Sequence, residues 1–134
     1  MNKYKVTWSD IYHKNINSRK YTQGCFDNAI EKIGDGMVPV YAGPDDVNPI
    51  GWAINFQVNN NEEKLTAEIL TDFNTDAINS SEFCLAGSGD TNWIERGGRG
   101  WLAVNPDTYK LLSVYLSKKS AFPVSMSMEI VNNE

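Results

Sequence analysis

A mainly β domain with one α-helix, an α+β fold, is what this sequence predicts. Three observations carry the prediction: apolar side chains recur at every second position in several stretches, they recur at helical spacing in one window, and turn-forming residues separate these segments. With 134 residues the chain holds one well-packed core and is too short for two, so residues 1–134 form a single domain.

The elements follow in chain order. In "YKVTW", Tyr4, Val6 and Trp8 alternate with Lys5 and Thr7, the period of a half-buried strand. In "TQGCFDNAIEKIGDG" the period changes: Phe26, Ala29, Ile30 and Ile33 share one helical face, Thr22 is placed to cap the start and Gly34 to end the helix in a left-handed turn. "VPVYAGPDDVNPIGWA" then gives two strands around a Gly-Pro-Asp-Asp turn. In "KLTAEIL", Leu65, Ala67 and Ile69 oppose Lys64, Thr66 and Glu68, and "NNNEE" before it is a hairpin turn, because Asn tolerates positive φ. "EFCLAG", "GWLAV", "YKLLSVYLS" and "VSMSMEIV" supply further strands.

Composition narrows the function. Hydrophobic content of 41% with 11% aromatics marks a globular chain with an aromatic-rich core. A net charge of −5 with scattered basic residues repels phosphate backbones and disfavours nucleic acid as a partner. No window approaches the roughly 20 apolar residues of a membrane span, and "MNKYKVTWSD" lacks the apolar run of a signal peptide, so a soluble protein made in the cytosol is expected. Cys25 and Cys84 lack zinc-ligand spacing and read as reduced, buried thiols; no cofactor or metal is implied.

Motifs with a chemical reading are few. "DFNTDAI" begins like a calcium loop, but its sixth position is Ala77 and its twelfth Phe83, which excludes an EF-hand and leaves a solvated turn. Asn79-Ser80-Ser81 matches a glycosylation acceptor by chance. "GSGDTNWIERGGRG" lacks the Gly-Lys-Ser/Thr ending of a phosphate loop and precedes no helical pattern, so it reads as a mobile hairpin with Trp93 at its tip as a contact residue. His13 is the single histidine and reads as a surface residue, while Ser113 lies on a strand whose neighbours supply no base. The adjacent Asp45 and Asp46 read as solvated turn-formers after Pro44.

Taken together, residues 17–58, "NSRKYTQGCFDNAIEKIGDGMVPVYAGPDDVNPIGWAINFQV", and 64–72, "KLTAEILTD", resemble the first half of tailed-phage prohead (capsid maturation) proteases. An N-x-R-x-Y-like stretch leads into a helix, a Pro-Val strand, a turn, an Ile-Gly strand and a strand of alternating Leu and Ala. The resemblance implies a compact, partly open β-barrel of the herpesvirus-protease-like kind and a serine nucleophile served by histidine. Pro44 stands where that imidazole would be, and Ser113 falls near the nucleophile strand. A serine without a base within hydrogen-bond reach stays protonated and is a poor nucleophile.

The leading expectation is therefore a pseudoenzyme: a non-enzymatic phage structural or assembly protein, in the host cytoplasm or the virion, that binds other virion proteins, the capsid protein among them, or copies of itself. Trp93, Arg96, Arg99 and Trp101, with Asp45 and Asp46, are the expected protein-binding residues. Two alternatives are a protease using Ser113 with His13 or Asp45, and a counter-defence module that binds a small ligand or host protein, with Arg96 or Arg99 pairing an anion.

Overall fold

The computed structural model describes residues 2–9, 11–12, 19–43, 46–72, 83–96 and 101–118. Nine strands and one helix occur among them: β1 (Asn2–Trp8), β2 (Arg19–Lys20), α1 (Cys25–Ile33), β3 (Val38–Tyr41), β4 (Gly51–Asn59), β5 (Lys64–Thr71), β6 (Phe83–Asp90), β7 (Trp93–Arg96), β8 (Trp101–Val104) and β9 (Lys110–Lys118). The mainly β, single-helix architecture expected from the periodicities is present. The expected "VSMSMEIV" strand and residues 73–78 and 97–100 lie outside the described residues.

Six strands form one sheet in the order β1-β5-β4-β3-β9-β6, and β2-β8-β7 form a second. The alternation in "KLTAEIL" sets the register of the first sheet: Leu65, Ala67, Ile69 and Thr71 are all buried on its inner face. Tyr4, Val6 and Trp8 of β1 lie opposite Ile69, Ala67 and Leu65. A slip of one residue would turn this whole apolar set to solvent, which is why the pairing is well specified. The sheet does not close into a barrel, since β1 and β6 share no ladder among the described residues. The Trp8 indole nevertheless spans the two edge strands, its Nε1 donating to the Leu85 carbonyl at 2.9 Å.

Helix α1 buries Cys25, Phe26 and Ala29, with Ile30 and Ile33 packed partly against the core. Gly34 does end it, at φ 58°, its N–H donating to the Ile30 carbonyl at 3.0 Å. Thr22 does not cap it: Gly24 takes the N-cap position, and the Thr22 hydroxyl donates instead to the Val104 carbonyl at 3.0 Å, tying the helix entrance to β8. A strand carbonyl within reach outcompeted the local cap. Around the helix, Phe26 meets Tyr21 at 4.7 Å between ring centroids, and Tyr109 stands edge-on to both, an arrangement that matches ring edges to ring faces. Asn28 and Lys32 fasten the helix to the β8–β9 turn through the carbonyls of Pro106, Asp107 and Tyr109.

Two further sequence expectations are corrected. In the β4–β5 hairpin the left-handed residue is Glu63, φ 55°, rather than an Asn, and the turn is held by Glu63 N–H to the Asn60 carbonyl and Glu62 N–H to Asn59 Oδ1. The Gly-rich stretch is not one hairpin: Gly87–Asp90 continue β6, while Trp93–Arg96 pair with Trp101–Val104 as the β7–β8 ribbon. Between them Thr91 is a buried corner, its Oγ1 accepting the Asn105 N–H at 3.0 Å.

Candidate binding surface

Of the residues singled out in the sequence, His13, Asp45 and Arg99 lie outside the described residues, as does Pro44. Arg96 and Trp101 are backbone partners across the β7–β8 ribbon; their side chains are not among those described. Trp93 opens β7 opposite Val104 and packs against the core cluster, partly buried. It is a ribbon-to-core contact and does not stand at a hairpin tip. Ser113 lies half-buried on β9 directly opposite Ser88 of β6, so its nearest cross-strand neighbour is a second hydroxyl. Asp46 is exposed, its N–H donating to the Gly43 carbonyl at 3.3 Å. Among the described residues no group of three or more His, Cys, Asp or Glu side chains could hold a metal ion.

The surface that stands out instead is the outer face of the six-stranded sheet. Register places Leu70, Trp52 and Pro39 side by side across β5, β4 and β3. Trp52 is 37% exposed, while its neighbour Ala53 points inward and is fully buried. Along β4 the small residues Gly51 and Ala53 take the inner face and the large Trp52 the outer one. Sequence reasoning missed this row because the larger side chains of an alternating strand are ordinarily taken to be the core set. The available signal was Gly51-x-Ala53, a small-residue parity marking close approach on the opposite side.

A notch of about 740 Å³ opens beside this face, between the α1–β3 elbow and the middle of β4. β3 pairs with β4 only along Val38–Val40, so beyond Ala53 the β3-side flank of β4 meets the elbow instead of a strand among the described residues. The β4–β5 register shifts between Ile54 and Gln57, with Asn55 at φ 55°. Such a bulge re-aims side chains: the Asn55 amide Nδ2 donates to Glu68 Oε1 at 2.6 Å, and Lys3 Nζ lies 3.3 Å from Glu68 Oε2. No family model matches this chain, and neither the curated proteins nor the solved structures give a match.

The electrostatics separate the inside of the domain from this surface. Burial, and then the neighbouring Cys25, push the Tyr12 and Tyr109 hydroxyls well above the usual phenol range, and burial pushes the Cys25 thiol far above its ordinary 9.0. These groups are neutral at physiological pH and Cys25 is not an activated thiolate. At the notch the sign reverses: the Asn55 hydrogen bond first, then Lys3, hold the Glu68 carboxyl below its ordinary value. The outer face thus sets the charge-assisted Glu68 pairs beside partly exposed apolar side chains.

Proposed function

We propose that this chain is a non-catalytic β-domain that binds other proteins of a phage head, built on a partly open barrel of the herpesvirus-protease-like kind. The observation that carries the binding reading is the Leu70–Trp52–Pro39 row on the outer sheet face, where a large aromatic stands at the surface between two apolar neighbours. Aromatic anchors of this kind dominate interface energetics. The phage assignment rests on the resemblance of residues 17–58 and 64–72 to prohead proteases, with Pro44 in the place of the histidine. The Trp8–Leu85 bond between edge strands supports a rolled sheet.

The test is co-sedimentation with assembled heads of the phage that encodes the chain. Wild type is expected to travel with the heads and Trp52→Ser to stay in the supernatant while still unfolding in one cooperative transition. Wild type that fails to sediment ends the head-binding reading, and cleavage of capsid protein that vanishes in Ser113→Ala replaces it with the protease one.

A further inference from the structure

We infer that the outer edge of β1 is a strand-addition site whose occupant is this chain's own segment 124–131, laid antiparallel along β1. The inference goes beyond the Trp52 row and does not rest on it. β1 pairs with β5 along all seven of its residues and has no ladder on its other side among the described residues. Such an edge is a template for a further strand. Val6 shows that the core is incomplete there: it packs against the core cluster yet stays partly exposed, whereas Ala67, opposite it on β5, is 1% exposed.

Topology says which part of the chain reaches that edge. Pairing is antiparallel from β1 through β5 and β4 to β3, parallel from β3 to β9, and antiparallel from β9 to β6. β9 therefore runs opposite to β1. It ends at Lys118, paired with Phe83 at the start of β6. Two residues along β6 from Phe83, the Leu85 carbonyl accepts the Trp8 indole at 2.9 Å. The exit of β9 thus lies beside the Trp8 end of β1, and a chain that keeps its direction runs antiparallel to β1, from Trp8 toward Asn2. Residues 119–123, ending in Pro123, span up to about 17 Å when extended, and residues 124–131 then match β1 in length.

Side-chain parity and charge fit this occupant. Val124, Met126, Met128 and Ile130 alternate with Ser125, Ser127 and Glu129. Any register that puts the apolar set on the inner face with Val6 and Trp8 puts the polar set on the outer face with Lys3, Lys5 and Thr7, all three exposed. With Val124 beside Trp8, Glu129 stands opposite Lys3 and diagonal to Lys5, an attractive cross-strand arrangement. Glu129 is the one charged residue of the segment. A second copy of β1 on the same edge would instead set lysines against lysines. An edge covered by segment 124–131 is closed to strand addition by other chains and leaves the outer sheet face for partners.

The test is the set of cross-strand NOEs in the full ¹³C,¹⁵N-labelled chain. Contacts between residues 124–130 and 2–8 are expected. Met126→Asp, which places a carboxylate on the inner face, is expected to speed hydrogen exchange of the β1 amides about tenfold while the β4–β5 amides keep their protection. If that variant loses protection throughout, the wild-type contacts decide alone. Random-coil shifts for residues 124–131, contacts of that segment with a strand other than β1, or β1 exchange indifferent to Met126→Asp in a folded chain would each overturn the inference. So would contacts seen only between differently labelled copies in a mixed sample, which make the occupant a second molecule. None of these results touches co-sedimentation through Trp52, so the two readings fail separately.

Discussion

The two faces of the six-stranded sheet are made from the same strands and obey different rules. On the inner face Leu65, Ala67, Ile69 and Thr71 of β5 are closed off from water, and Phe26 of α1 packs with Tyr21 and Tyr109 in the same buried core. On the outer face the alternating residues of the same strand, Lys64, Thr66, Glu68 and Leu70, remain partly or fully accessible. The difference teaches that the face proposed for binding is not the face that closes the core. Packing density makes the inner face intolerant of volume change, whereas on the outer face Trp52 keeps 37% of its surface in contact with water.

The largest effect that would break this comparison comes from the inner face. Phe26 is buried against Tyr12, Tyr21 and Tyr109, and Phe26→Ala is expected to cost about 3–5 kcal/mol in urea unfolding, by lost transfer energy plus the cavity left behind. Next is Gly51, where an added Cβ would sit 2.4 Å from the Leu70 carbonyl oxygen. Neither strand can retreat without disturbing the β4–β5 ladder, so Gly51→Ala is expected to cost about 1–3 kcal/mol by the same measurement.

These positions also show how far the sequence was legible. The β5 alternation and the helical face of Phe26, Ala29, Ile30 and Ile33 were readable because the signal lies within one segment. β2 was not: Arg19–Lys20 is a two-residue, polar strand whose only cause is its parallel pairing with Leu102 and Ala103 of β8. The parallel β3–β9 pairing, Val40 with Val114, joins segments far apart in the chain, and no local periodicity encodes it. The candidate surface was harder still. Trp93 looks like a contact residue beside its glycines and packs partly against the core, while Trp52, which sequence reasoning did not single out, stands partly at the surface. Which side of a strand is inside depends on what packs there, and only the assembled sheet supplies that.

An intermediate effect comes from pH. Cys25, Tyr12 and Tyr109 have their acid dissociation raised by burial in the folded state, so the native state holds protons that the unfolded chain releases. Their contribution is fully present below the unfolded values and is lost as pH rises past them, starting near the ordinary thiol value of 9.0. Stability is expected to fall above that pH by up to about 1.4 kcal/mol per pH unit for each group whose unfolded form has ionised. Urea midpoints measured from pH 7 upward check this, and Cys25→Ser should shallow the first part of the decline. In the same comparison Trp52→Ser is expected to cost about 1 kcal/mol through its lost cross-strand contacts with Leu70 and Pro39.

The smallest effect belongs to the outer face and sharpens the comparison most. Glu68 is held below its ordinary carboxyl value first by Asn55 and then by Lys3. A carboxyl lowered in the folded state stabilises above its unfolded pKa, and that contribution disappears as pH falls through the lower, folded value. Because Glu68 and Lys3 sit in water, screening keeps the contribution slight. Glu68→Gln should therefore leave the neutral-pH midpoint nearly unchanged and flatten the acid limb alone. Glutamine keeps an oxygen that accepts from the Asn55 amide, so the change removes only the charge facing Lys3. A neutral-pH midpoint that holds places Glu68 outside the fold's framework; a midpoint that collapses at neutral pH would instead make the bulge part of it.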